Sequence, residues 1–367
     1  MGVYIMQIWP ESKYTSKISR DEIVMLDEIF KYYDFHVTSA DKVRSAYKIC
    51  TDEGEFCLKR VSHGYRKAKK SYHIMKYLKE KGFDNVADYY YTKEGKALIN
   101  YKGAAFYLTH WIDGREANFS DTSEILKCSE LLALFHNYAK GFKAPKHIKI
   151  RSQSRKLKKT LIKYRDQIGE FKENIDNLKL KAEFDYAYRN CIDYFYKQSE
   201  LAIRILEHSG YEELCDFYAN ESDICHDSFY YQNILIDKNG KFYIVDLESC
   251  QYDISMSDLG KYIRRVLSKK KFRWDFDLCR RIIESYCRVR PMLKEEYTIL
   301  LAILVFPHKF WKLGRKRYIK NKKWEEKRYR KKLNRLLKQK EYMREFIYCY
   351  INFYGLDIDY DPDIIEL

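Results

Sequence analysis

ICHDSFYYQNILIDKNGKFYIVDLESCQYDISMSDLGKYI, residues 224–263, is the stretch that decides the fold. His226 is followed seven residues later by Asn233, and Asn233 thirteen residues later by Asp246. The apolar runs Ile234-Leu235-Ile236 and Phe242-Tyr243-Ile244-Val245 read as two short strands, with Asn239-Gly240 between them as a hairpin turn signal. The hairpin therefore carries an amide just before its first strand and a carboxylate at the end of its second. Such hard oxygen donors suit one divalent metal whose shell is completed by nucleotide phosphates.

The spacing of His226, Asn233 and Asp246 resembles that of protein and small-molecule kinases, in the aminoglycoside and choline kinase branch. There the catalytic loop reads His-x-Asp-x-x-x-x-Asn, and a metal-binding Asp follows the next hairpin. The resemblance implies that Asn233 and Asp246, with Glu248 in Asp246-Leu247-Glu248, hold magnesium. It implies ATP as the cofactor. The loop carries His226, but the position of the catalytic carboxylate falls on Ser228, while Asp227 is displaced by one residue. A hydroxyl titrating far above neutral does not accept a substrate proton as a carboxylate does.

The rest of the kinase layout follows in order. Lys59, in Phe56-Cys57-Leu58-Lys59-Arg60-Val61, lies on a strand-like alternation where the phosphate-pairing lysine is expected. Arg44-Ser45-Ala46-Tyr47-Lys48-Ile49 reads as the first strand with the nucleotide-covering turn, and it contains no glycine for close backbone approach. The helix near 65–81 has no acidic residue between Gly64 and Lys79 to pair with Lys59, which leaves that lysine poorly oriented. Phe106-Tyr107-Leu108-Thr109-His110-Trp111-Ile112-Asp113-Gly114-Arg115-Glu116 has the form of a last strand entering the hinge. Tyr107, Thr109 and Trp111 are the cofactor-binding positions it offers beside Lys59.

Together with Leu131-Leu132-Ala133-Leu134-Phe135-His136, Asp258-Leu259-Gly260 and Phe306-Pro307-His308-Lys309-Phe310-Trp311, these segments resemble the CotS family of bacterial spore coat proteins. The resemblance runs from about residue 18 to about residue 350. It implies an α+β, two-lobed protein kinase-like fold, with an antiparallel β-sheet N-lobe and a mainly helical C-lobe. The lobes are expected at 1–112 and 113–367, with Lys59 facing Asn233 and Asp246 across a cleft.

Composition sets independent bounds. A chain of 367 residues with 46% hydrophobic content buries a large core, and five prolines leave little room for disordered linkers. No apolar run is long enough to span a bilayer, so no membrane insertion is expected. The N-terminus lacks a basic flank followed by an apolar stretch, and Met6 stands where an N-myristoylation motif requires Ser or Thr. Synthesis in a cytoplasm follows, which for a coat protein is the mother cell, before assembly into the spore coat. Ten cysteines without a Cys-x-x-Cys motif read as reduced, structural thiols. The abundant tyrosines, 35 in all, fit either codon bias or cross-linking, and none is singled out.

The net charge of +16 is concentrated between Lys309 and Lys340, where sixteen Lys/Arg face only Glu325 and Glu326. Trp311, Tyr318, Trp324 and Tyr329 are interleaved with these charges, a pattern suited to polyanions or nucleic acid. Leu333, Leu336 and Leu337 favour a solvated helical face instead.

Strands are expected near 43–50, 55–61, 86–92, 96–101 and 105–111. Helices are expected from Arg20, capped by Ser19 and Glu22, and near 65–81, 121–140, 153–171, 181–208, 256–269, 275–289, 294–313 and 322–354. Three functions are compatible with the sequence. The first is a coat assembly or structural protein, partnered by other spore coat proteins, with weak or lost phosphotransferase activity. The second is an active ATP- and magnesium-dependent kinase using Asp227 as base. The third, with composition alone behind it, is a nucleic-acid- or polyanion-binding protein.

Overall fold

The structure is a computed structural model describing residues 15, 17–61 and 64–360. The segment read for a leader or acylation motif lies outside the described residues. In chain order the elements are α1 (Arg20–Phe30), β1 (Val37–Val43), β2 (Ala46–Thr51), β3 (Gly54–Val61), α2 (Tyr65–Glu80), β4 (Tyr89–Tyr90), β5 (Ile99–Tyr101), β6 (Ala104–His110) and β7 (Gly114–Glu116). Helices α3 (Thr122–Ala139), α4 (Leu157–Asp176), α5 (Glu183–Arg189), α6 (Ile192–Glu207) and α7 (Tyr211–Glu221) follow, then β8 (Ile224–Cys225), β9 (Ile234–Asp237), β10 (Phe242–Ile244) and β11 (Gln251–Tyr252). The chain closes with α8 (Ser255–Leu267), α9 (Phe276–Cys287), α10 (Lys294–Val305), α11 (His308–Gly314), α12 (Glu326–Leu337) and α13 (Lys340–Tyr354).

These elements form two compact units. Of the described residues, one contains those up to Ala117 with residues 143–150 and 231–250; the other contains 118–142, 151–230 and those from Gln251 to Tyr360. The β9–β10 hairpin is thus grouped with the first unit, although it lies within the expected 113–367 segment.

In the first unit an antiparallel sheet runs β1-β2-β3-β6-β4, with β5 also on β6. Ser19 caps α1 as its sequence predicts: its hydroxyl accepts from Glu22 N at 3.3 Å, and Ser19 N donates back to the Glu22 carboxylate at 2.9 Å. Leu26 and Ile29 of that helix pack with Ile49, Phe56, Leu58, Phe106 and Leu108, all essentially solvent-free. Each such side chain contributes roughly 1.5–3 kcal/mol by leaving water. The expected first strand at 43–50 is two strands: β1 ends at Val43, Arg44 turns the chain at φ 58°, and β2 starts at Ala46. Strand β1 escaped sequence reading because it pairs only with β2 and its VTSADKV pattern buries only Val37 and Ala40 fully.

The second small sheet, β10-β9-β7, pairs Gly114 with Asp237 and Arg115 with Ile236. A Cβ at Gly114 would collide with the Ile236 carbonyl, so only glycine allows this approach. The hairpin loop is closed by Asp237, whose Oδ1 accepts from Asn239 N and Lys241 N at 2.9 Å each, with Gly240 at φ 79°.

The second unit is helical. The expected 294–313 helix breaks at Phe306-Pro307 into α10 and α11, because proline has no N–H to continue the ladder. The 322–354 segment divides into α12 and α13, and 181–208 into α5 and α6. Helix α7 falls where no helix is expected. Tyr188, Phe195 and Phe310 stack in its core, with Phe310 centroid distances of 4.2 and 4.0 Å. Among the described residues no helix is long and apolar enough to cross a membrane.

Candidate functional site

The first unit brings Lys59, Tyr107, Asp246 and Glu248 together. Lys59 projects from β3 and donates through Nζ to Asp246 Oδ1 at 2.5 Å and to Glu248 Oε2 at 3.3 Å. Tyr107, its cross-strand neighbour on β6, donates its hydroxyl to Glu248 Oε1 at 2.7 Å. Asp246 sits past the end of β10 at φ 70°, a left-handed conformation that Asp tolerates better than most residues. The two ends of the hairpin are clamped by Val245 N donating to Asn233 O at 3.0 Å, which sets Asn233 next to the carboxylate-bearing turn.

The electrostatics follow from burial. Desolvation raises the Glu248 carboxyl to about 7; its hydrogen bond and repulsion with Asp246 act in the same direction, and Lys59 opposes them. For Lys59, burial works against the charge, but Glu248 and Asp246 outweigh it and hold its pKa above the usual value. Lys59, Tyr107, Asn233 and Asp246 border a cavity of about 210 Å³ in the first unit, whose walls include Ala46, Cys57, Thr109, Trp111, Leu235 and Ile244. Apolar walls with a polar end are the form of a small-molecule site.

The remaining loop residues belong to the second unit. Antiparallel β8 and β11 lead the chain to His226, which is fully buried. Asp258, in the first turn of α8, accepts from His226 N at 2.5 Å and Asp227 N at 2.9 Å. His136 Nε2 lies 3.4 Å from the same carboxylate, and its Nδ1 lies 2.6 Å from the Tyr286 hydroxyl. Burial alone would push the Asp258 carboxyl up, yet His136, Lys261 and His226 together depress it to about 2. Asp227 adopts φ 63° and its Oδ1 takes Lys261 Nζ at 2.5 Å. Ser228 N donates to His226 Nδ1 at 3.2 Å.

Residues 26–350 match the family model described as "Spore coat putative kinase YutH". The chain belongs to this spore coat kinase-like family. Spore coat protein S of Bacillus subtilis (strain 168) is 25% identical over 331 residues, covering 88% of this chain and 93% of that protein. Among solved structures, the aminoglycoside phosphotransferase from Alicyclobacillus acidocaldarius subsp. acidocaldarius DSM 446 superposes with a TM-score of 0.78 at 18% identity, over 89% of this chain and 95% of that one. Amicoumacin kinase hAmiN, solved with AMP-PNP and Ca2+, has a TM-score of 0.61 at 12% identity, over 89% and 94% of the two chains. The fold is therefore α+β and kinase-like, with an antiparallel N-terminal sheet and a helical C-terminal region.

Within this spore coat family member, one sequence expectation needs correction. Lys59 is not poorly oriented: α2 lacks the acid, but Glu248 and Asp246 hold the ammonium instead. Tyr107 lines the cavity, yet its hydroxyl is committed to Glu248. Thr109 and Trp111 line the same cavity, with Trp111 N donating to Glu55 O at 2.9 Å. Lys261 was missed, although its spacing of three from Asp258 on a helix was the available signal. Of the rings interleaved with the C-terminal charges, Trp311 and Tyr329 are buried, and Trp324 lies under Arg328 and Lys316 at 4.2 and 4.4 Å.

Proposed function

We propose that this chain is a spore coat protein that binds magnesium nucleotide in its first unit and transfers phosphate weakly or not at all. The observation that carries the reading is the placing of Lys59, Asp246 and Tyr107 at one end of an apolar-walled cavity, with Glu248 bonded to Lys59 and Tyr107. In it Lys59 meets the nucleotide phosphates, and Asn233 and Asp246 supply hard oxygens that fit a magnesium ion. The ion would supply positive charge to the phosphates. Glu248 has one oxygen on Tyr107 and the other on Lys59. It therefore suits the task of aiming the lysine better than that of ligating the metal.

Weak transfer rests on the second unit's loop. Ser228 stands at the carboxylate position, and Asp227 is held by Lys261. Positioning and charge stabilisation then remain while the proton acceptor is missing, a loss worth about 10²–10⁴-fold. The family supports synthesis in the mother cell and association with other coat proteins as part of this reading.

Turnover of ATP by purified protein, followed as ADP release, tests the loop. Ser228→Asp should raise the rate above that of the native protein, and Asp227→Asn should leave it unchanged. A robust native rate abolished by Asp227→Asn would instead establish an active kinase with Asp227 as base.

A further inference from the structure

Helix α8 carries Lys261, Arg264, Arg265 and Ser268 along one face, the last as its C-cap, at spacings of three, four and seven residues. At about 1.5 Å rise per residue the face runs ~10 Å from Lys261, which holds Asp227, to Ser268. Helix α11 adds His308, Lys309 and Lys312, and Lys309 Nζ donates to Ser268 Oγ. Arg264 donates only weakly, to Ile303 O at 3.4 Å.

Lys261 is answered by Asp227, and Arg265 faces the charges of Asp258 and Asp227, but the cations further along are not answered by acids. Elsewhere in the same unit Arg290 meets Glu296 at 3.0 Å and Arg317 meets Asp185 at 3.2 Å. Among the described residues Arg264, Lys309 and Lys312 make no such ion pair, and the charges crowding Lys309 and Lys312 are all cationic. Desolvation of the Lys309 ammonium, with repulsion from Arg335, Arg264, Lys332 and Lys312, pushes its pKa down to about 8. Burial, then the charges of Arg264, Lys312, Lys261 and Arg265, pushes His308 down to about 2. Lys309 and Lys312 are exposed and Arg264 and His308 half-buried, so solvent screens much of this repulsion, and an anion seated among them relieves the remainder.

A cavity of about 50 Å³ lies at this point, bordered by Arg264, Ser268, His308, Lys309, Gln339 and Lys340. It is larger than the ~10–15 Å³ that one water requires. Its floor includes the rings of Phe195 and Phe310, and Lys340 Nζ rests 3.8 Å from the centre of the Tyr194 ring. We propose that this part of the second unit binds a small phosphate-bearing anion, its charge seated by Arg264, Lys309 and Lys340 and its apolar part on the aromatic floor. The site lies wholly in the second unit and is separate from the Lys59 cavity of the first.

Calorimetric titration with phenyl phosphate at low salt tests this, with sodium chloride at matched ionic strength and choline as a cationic comparison. The native protein and Lys59→Ala should bind phenyl phosphate equally well. Lys309→Gln and Lys340→Gln should each weaken it about tenfold, as expected when a charge-assisted contact is lost. Lys331→Gln, outside the cavity, should bind as the native protein does, and choline should not bind. Equal weakening by Lys331→Gln, or full competition by chloride, would mean a diffuse basic surface and overturn the proposal. Loss of binding in Lys59→Ala would place the anion at Lys59 and overturn it as well. Both lysine variants change side chains near solvent, and thermal melting of each in plain buffer verifies that folding is retained.

Discussion

Glu248 shows how burial and pairing set the chemistry of a single residue. Its carboxyl, raised from 4.5 to about 7 by desolvation and by Asp246, gives folding a definite pH dependence. Below about 4.5 it is protonated in both the folded and unfolded states and contributes no slope. Between 4.5 and 7 the unfolded chain has released a proton that the folded one still holds, so stability falls as pH rises. The loss is at most on the order of 3 kcal/mol and is complete above about 7. Urea unfolding across pH 4–8 should show this fall in the native protein and a flatter profile in Glu248→Gln. If the two profiles are parallel, Glu248 titrates in the folded protein as it does in the unfolded chain, and burial does not raise its carboxyl. Asn233 and Asp246 could be named as candidates from the sequence because they lie at a fixed separation within one local motif, and Lys59 from its place in the order of the kinase layout. The Tyr107–Glu248 bond joins residues 141 positions apart, and no spacing rule reaches that far.

Helices and strands were legible where one face is clearly apolar and their ends carry local signals. Ser19 and Glu22 fixed the start of α1, and α3, α8 and α9 lie within two residues of their expected bounds. The failures are physical: β1 is a half-polar outer strand, β7 exists only through its pairing with β9, and Pro307 divides one apolar run into two helices. Gly260 belongs to this scale. Read as part of the Asp258-Leu259-Gly260 motif, it proves to be where α8 meets α10: an added Cβ would sit 2.5 Å from Ile303 Cγ2 and 3.4 Å from Leu300 Cδ1. Gly260→Ala should therefore destabilise the fold by about 1–3 kcal/mol, the usual range for overpacking, despite alanine's better helix propensity. Urea denaturation measures it, and a stabilised variant would show that α8 and α10 have room to spare.

For the whole molecule, the proposed nucleotide site predicts a ligand-dependent melting temperature. MgATP at a hundred times its dissociation constant should stabilise the native protein by about 2.7 kcal/mol. Scanning calorimetry should show that shift lost in Asp246→Ala and partly kept in Lys59→Ala, where Asn233 and Asp246 still offer oxygens to magnesium. No shift in the native protein at millimolar MgATP would leave a scaffold without its ligand. The sequence by itself determined the kinase-like fold and the family, because the motifs that resemble that family are local stretches that survive without coordinates. It also located the basic charge between Lys309 and Lys340. Only the tertiary structure decided which charges are answered. It turned Glu248 and Asp246 toward Lys59, gave Asp227 to Lys261 and left Arg264 and Lys309 without acids. The strength and meaning of a charge depend on its distance to partners and its exclusion from water, and both are set by packing between segments far apart in the chain.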